Sequence, residues 1–242
     1  MRKTPAIFFW FFALFSAFCL QDIQGQTINP SLQKADSLFE AGQAEPSFRV
    51  YRQIREQQDQ QSARQLLRMA YVQEGLGHYP AALYYLSVAQ NWYPRHATWR
   101  KMVALAQEYR LTGYPNTWRQ SLAITFQRYY NRLLQGLLAI AVVGGILLQA
   151  RRRTAGRTWW SVYAIYLLGV AAFLNLLAPV RVGLVARPNA ALMAGPAAGA
   201  AWLTTAAAGD RFEVQGQQDI WYRVRWKGQD AYIRRPDLLL VQ

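Results

Sequence analysis

A single cysteine and two histidines leave this chain little from which to build a metal centre or a thiol nucleophile. Cys19 lies inside an N-terminal apolar run, so removal of that run would leave no thiol, and His78 and His96 alone do not make a Cys/His zinc pattern. Acids are also scarce: 13 Asp and Glu stand against 27 Lys and Arg, and they are scattered rather than paired. No phosphate-cradling glycine loop occurs, and neither histidine has an evident nucleophile beside it. The expectation is a non-enzymatic chain: no catalytic residue, no metal ligand and no cofactor.

The apolar residues, 52% of 242, are unevenly spread, which points to separate units rather than one core. Arg2 and Lys3 precede an apolar run from Ile7 to Leu20, followed by polar Gln21, Asp22 and Gln24. This is the layout of a secretory signal over residues 1–25, with Ile23 and Gly25 at the −3 and −1 positions before Gln26. An uncleaved signal anchor is the alternative, and either version sends the next segment across a membrane. Phe18, directly before Cys19, argues against lipidation of that cysteine.

Two further runs carry no formal charge, residues 133–150 and residues 159–180, the second with Trp159, Trp160 and Tyr163 at one end and Pro179 at the other. Each is long enough to cross a hydrocarbon layer of about 30 Å as a helix. The connection between them, residues 151–158, holds Arg151, Arg152, Arg153 and Arg157 and no acid. Retained positive charge in a short loop marks the cytoplasmic side, which places residues 26 to about 130, and those from about 183 onward, outside. The net charge of +14 is then read as topology and membrane-surface contact, not nucleic acid. Gly136, Gly144 and Gly145 offer places for close helix approach.

Residues 28–113 show apolar positions at helical spacing, divided by glycine and proline into consecutive helical hairpins. In the second hairpin Gly77, Tyr79, Ala82, Leu86, Ala89 and Pro94 fall at the spacing of the tetratricopeptide repeat, which this stretch resembles. A weaker copy upstream has Ala35, Leu38, Gly42, Ser47, Tyr51 and Ile54, with Ala44 where the second has Tyr79. A helix with Trp99, Val103, Leu105 and Tyr109 would cap the stack. The resemblance implies a concave surface presenting Arg64, Leu67, Arg68 and Tyr71, with Lys101 nearby, to an acidic segment or C-terminal carboxylate; an ordinary solvated helix face is the alternative. Residues 116–132 read as an amphipathic connecting helix capped by Asn116, with Trp118, Leu122, Phe126, Tyr129 and Leu133 as its stripe. It either enters the membrane or packs as a surface helix.

From residue 183 to 242 the pattern changes to short strands and turns: residues 191–196, Gly209 to Val214, Trp221 to Gly228, Ala231 to Ile233, and Asp237-Leu238. Phe212 and Val214 alternate inward, and Lys227-Gly228 is a hairpin tip. The segment resembles the bacterial SH3-like domain, and Trp221, Trp226 and Tyr232 are its candidate groove for peptide or cell-wall sugar, with core filling as the competing role.

The expected fold is thus a multi-domain membrane protein: all-α tetratricopeptide-like hairpins, a transmembrane α-hairpin, and a C-terminal all-β SH3-like barrel. This order resembles the BatE-type proteins of the bacterial Bat aerotolerance set. The resemblance implies an inner-membrane scaffold with both modules in the periplasm, partnered by membrane proteins carrying von Willebrand A domains and, indirectly, by a MoxR-type ATPase. The alternative is a peptidoglycan-binding protein acting through the SH3-like domain.

Overall fold

The computed structural model describes residues 30–57, 62–152, 156–176 and 180–241. The expected signal with Cys19, and also Arg153 and Pro179, lie outside the described residues. The chain divides into two compact units, the first containing two helices and the second everything from the third helix onward.

In the first unit α1 (Pro30–Glu40) and α2 (Ala44–Gln57) form an antiparallel pair. Gly42 makes the turn at φ 75°, a conformation that costs glycine nothing. Of the upstream repeat copy, Ala35, Ser47, Tyr51 and Ile54 are buried, Leu38 is half-buried and Gly42 is exposed in the turn. The Tyr51 hydroxyl donates to Asp36 Oδ1 at 2.5 Å, so the polar tip of this buried ring has a partner.

The second unit opens with α3 (Ala63–Gly75), α4 (Tyr79–Trp92) and α5 (His96–Glu108), with α4 packed against both neighbours. Ser62 caps α3 by accepting from the Gln65 amide at 3.1 Å. Gly77 turns the chain into α4 at φ 77°. Along α4, Ala82, Leu83, Leu86 and Ala89 are buried, the two alanines keeping the helices close, and Pro94 lies between α4 and α5.

Next come α6 (Trp118–Ala150) and α7 (Arg157–Leu176), both long and apolar enough to cross a membrane. The connecting segment and the first expected span are one uninterrupted helix of 33 residues, about 50 Å long. It is capped by Thr117, whose Oγ1 accepts from the Gln120 amide at 3.4 Å, rather than by Asn116. Arg157, expected in the connection, is the first residue of α7, while Arg151 and Arg152 form the turn after α6.

Tyrosines hold the two helices in register. Tyr130 stacks on Phe173 with ring centroids 5.2 Å apart, Tyr166 Oη donates to the Leu137 carbonyl at 2.6 Å, and Tyr163 Oη donates to the Ala141 carbonyl at 2.8 Å. A phenol in an apolar layer needs an acceptor, and a backbone carbonyl is what the facing helix can offer. A Cβ added at Gly145 would lie 2.8 Å from the Tyr163 hydroxyl oxygen, and one at Gly144 would lie 3.3 Å from the ring. Gly136 has nothing within 4 Å and takes no part in this contact.

The C-terminal sheet contains β1 (Arg181–Val185), β2 (Ala190–Met193), β3 (Trp202–Ala206), β4 (Arg211–Gln218), β5 (Trp221–Trp226), β6 (Gln229–Arg234) and β7 (Leu238–Leu240). All pairings are antiparallel, in the order β3-β2-β6-β5-β4-β1-β7. Strands β1 and β3 both lie outside the expected strand segments, and β1 begins two residues before the expected boundary at 183. Val185, Leu192, Phe212, Val214, Tyr222, Val224, Ile233 and Leu238 are among the residues forming the core. Lys227 and Gly228, both at positive φ, make the two-residue turn between β5 and β6, a geometry matched to strand twist.

Replacing Gly145 by Leu should drive the Tyr163 ring off α6 and lower the thermal unfolding midpoint of the detergent-solubilised protein by several degrees. Gly136→Leu should leave that midpoint unchanged; equal effects at the two sites would contradict the packing.

Candidate functional site

Three places in the second unit have the means to bind or to position: a helix face, a face of the sheet, and the junction between helices and sheet. The junction has the most buried polar chemistry. After α5 the chain runs through Leu111, Thr112, Gly113 and Tyr114 against the turn between β3 and β4. Asp210 is buried, yet both carboxylate oxygens are satisfied: Oδ1 accepts from the Thr112 amide at 2.7 Å and Oδ2 from the Ala207 amide at 2.8 Å. The Arg211 amide donates to the Thr112 carbonyl at 3.1 Å, and its Nη1 donates to the Gly113 carbonyl at 3.3 Å. Tyr114 Oη donates to the Gly209 carbonyl at 2.7 Å.

Two glycines permit this approach. A Cβ on Gly113, at φ 90°, would lie 1.9 Å from the Arg211 carbonyl oxygen. One on Gly209, at φ 92°, would lie 2.9 Å from Leu111 and 3.2 Å from Leu83. Around them Tyr79 stacks on Tyr109 at 4.0 Å, and the Arg211 guanidinium sits 5.1 Å from the centre of the Trp99 ring. Burial pushes the Tyr114 phenol well above its ordinary range, the nearby Arg211 charge only partly opposing it.

The expected helix-face residues lie on α3. Arg64, Leu67, Arg68 and Tyr71 follow one another at helical spacing and share a face, with Tyr71 68% exposed. Lys101, on α5, is engaged: its Nζ donates to Glu74 Oε1 at 2.5 Å, both side chains being partly exposed. An exposed pair of this kind contributes about 0–1 kcal/mol, little enough for a competing carboxylate to displace Glu74.

The sheet separates the three aromatics that were expected to form one groove. In β5, Tyr222 and Val224 point into the core, and Trp226 packs against the same core, while Trp221, Arg223 and Arg225 take the opposite face. The register pairs Arg223 with Tyr232 and Trp221 with Arg234, so Tyr232 shares the Trp221 face. Trp226 therefore fills core, for the reason that its alternation matches Val224. Trp221 is only 4% exposed, and the Arg234 guanidinium stands 5.4 Å from its ring centre. Beside it is an open cleft of about 410 Å³, lined in part by Arg187, Met193, Trp221, Arg234 and Asp237, with Arg187 and Asp237 3.8 Å apart. Arg187, Arg234 and Asp237 are residues that sequence reasoning missed. Arg234 had a usable signal, since it follows Tyr232 by two positions in a strand.

The histidines have local roles. His78 Nδ1 lies 3.1 Å from Gln73 Oε1 at the start of α4, and His96 Nε2 lies 3.2 Å from Thr125 Oγ1, tying α5 to α6. Among the described residues no three His, Cys, Asp or Glu side chains come together as a metal-binding group. No protein-family model, no curated protein and no solved structure matches this chain.

Two outcomes test the junction. Gly113→Ala should separate helices from sheet, read as faster amide hydrogen exchange at Thr112 and Ala207, because the added methyl meets a backbone oxygen. Tyr114 gives a pH signature: its folded pKa is raised, so the stability it contributes is complete below about pH 10, the ordinary phenol value, and is lost as pH rises beyond it. Tyr114→Phe should flatten that alkaline decline while lowering stability at neutral pH.

Proposed function

We propose that this chain is a non-enzymatic, membrane-anchored scaffold of the bacterial envelope. In this reading it presents tetratricopeptide-like and SH3-like modules to the periplasm as part of a Bat-type membrane complex. The observation that carries it is the junction. Thr112 and Asp210 lie on either side of α6 and α7 in sequence and are hydrogen-bonded to each other. If the two long helices cross a bilayer, a chain whose ends meet must cross it an even number of times, and two crossings joined by a short turn with Arg151 and Arg152 satisfy that. Both modules then stand on one side, and the positive-inside rule makes that side the periplasm.

The tetratricopeptide reading is supported by successive antiparallel helix pairs, glycine turns at Gly42 and Gly77, and buried alanines at the crossing of α3 and α4. The SH3-like reading is supported by the small antiparallel sheet with its tight turn at Lys227-Gly228. Arg64, Arg68 and Tyr71 offer a basic, aromatic face to an acidic segment of a membrane partner, of which von Willebrand A-domain proteins are the proposed class, with a MoxR-type ATPase reached through them across the membrane.

The cleft beside Trp221 favours one alternative, a peptidoglycan-binding protein, because its volume suits a short peptide and its guanidinium groups suit a carboxylate. A mild-detergent pull-down of the tagged full-length protein separates the two. The scaffold reading expects von Willebrand A-domain membrane proteins, with recovery reduced at least fivefold by Arg64→Glu with Arg68→Glu and unaffected by Arg234→Glu. Recovery of wall fragments alone, lost with Arg234→Glu, would replace it. Sidedness has its own check: a cysteine at Arg152 should resist a membrane-impermeant maleimide in whole cells with a permeabilised outer membrane, and one at Ser62 should react.

A further inference from the structure

We propose that Arg128 and Arg132 form a binding site for the phosphodiester headgroup of an anionic phospholipid, at the end of the helical hairpin nearest the two modules. The proposal rests on α6 and α7 spanning a membrane.

The hairpin register sets the depth. Tyr130 faces Phe173 and Leu137 faces Tyr166, so each step down α6 matches a step up α7, which puts Arg128 level with Asn175 and Arg132 level with Ala171. Helix α7 has 20 residues, about the 30 Å of a hydrocarbon layer, so Arg128 stands at its edge and Arg132 about one turn inside. The two guanidinium groups are one helical turn apart on one flank of α6. That flank is turned from α7, because Phe126 and Tyr130, which do touch α7, are offset from them by two positions.

Among the described residues nothing neutralises these charges at that depth. From Tyr109 through Gly209 there is no Asp or Glu at all, and among the described residues neither Arg128 nor Arg132 forms a salt bridge. Both are exposed, and the Arg128 guanidinium lies 5.8 Å from the centre of the neighbouring Tyr129 ring. A guanidinium stays ionised and accepts a phosphate bidentately, and its stem can reach up from the hydrocarbon to the headgroups, where the phosphates lie. The occupant is lipid because the adjacent stripe is lipid-facing: exposed Tyr129 and Leu133 continue into exposed Ile140 well within the span.

The test uses full-length protein extracted in mild detergent after a carbonate wash of membranes, then incubated with equimolar phosphatidylglycerol and phosphatidylethanolamine and examined by native mass spectrometry. Phosphatidylglycerol should be retained over phosphatidylethanolamine by about fivefold for each arginine engaged. Arg128→Gln with Arg132→Gln should bring the two lipids to equal retention, Arg128→Lys with Arg132→Lys should keep most of the preference, and Arg223→Gln on the sheet should change nothing. Equal retention by the unaltered protein, a preference that survives the double glutamine variant, or a lipid-free dimer abolished by that variant would overturn the proposal. Release by carbonate would overturn both it and the membrane reading, whereas a firmly inserted protein with no lipid preference sinks the proposal alone.

Discussion

The Asp210 carboxylate is the constraint on which the arrangement of the second unit depends. It is buried, and a buried carboxylate without partners would cost several kcal/mol, so its position is tolerable only while the Thr112 and Ala207 amides stay in place. One of those amides belongs to its own turn and the other to the end of the helical region. Sheet and helices are consequently not independent domains on a tether. Closing so long an intervening segment has an entropic cost, but that cost grows only logarithmically with length, and two glycines, a stacked tyrosine pair and a cation over Trp99 act alongside the hydrogen bonds to offset it.

Charge is divided accordingly. Glu108 is the last acid before the hairpin and Asp210 the first after it. Every formally charged residue between them is an arginine, and the one acid that reopens the acidic part of the chain is spent on backbone amides rather than on a guanidinium. In the proposed reading Arg128 and Arg132 keep their charge for surroundings outside the chain, so the same residue type would mark topology at Arg152 and bind headgroups at Arg132.

The hairpin was legible in the sequence because the signals involved are one-dimensional: uncharged length and a basic connection. The helix pairs were legible for a related reason, since Ala35, Tyr51, Ala82 and Leu86 repeat at helical spacing and all prove buried. Boundaries were less so. Asn116 and Thr117 are both competent caps, and only the backbone decides between them; Arg157 starts a helix although its composition suits a turn. In the sheet, two adjacent aromatics at Trp221 and Tyr222 hide which face is inside. Arg223 and Arg225 resolve it, because charged residues at alternate positions mark the outer face and place Trp226 with the core. The junction was not legible at all, since Thr112 and Asp210 are joined by tertiary packing and neither carries a local motif.

A rigid junction changes what two modest surfaces can accomplish. The α3 face offers a few cations and one exposed tyrosine, and the cleft beside Trp221 is open and shared with Arg234, so neither alone has the area expected of a tight interface. Held in one body on a membrane hairpin, they would not need that area. A partner confined to the same bilayer would meet the α3 face at fixed geometry, and that contact would become effectively intramolecular, with an effective concentration set by the frame and the membrane rather than by bulk. Flexible tethers would dilute that gain, and free partners would not receive it. The same geometry would select against soluble competitors, which would have to bind each weak surface without the help of the membrane, so the Asp210 contact would act on specificity as much as on stability.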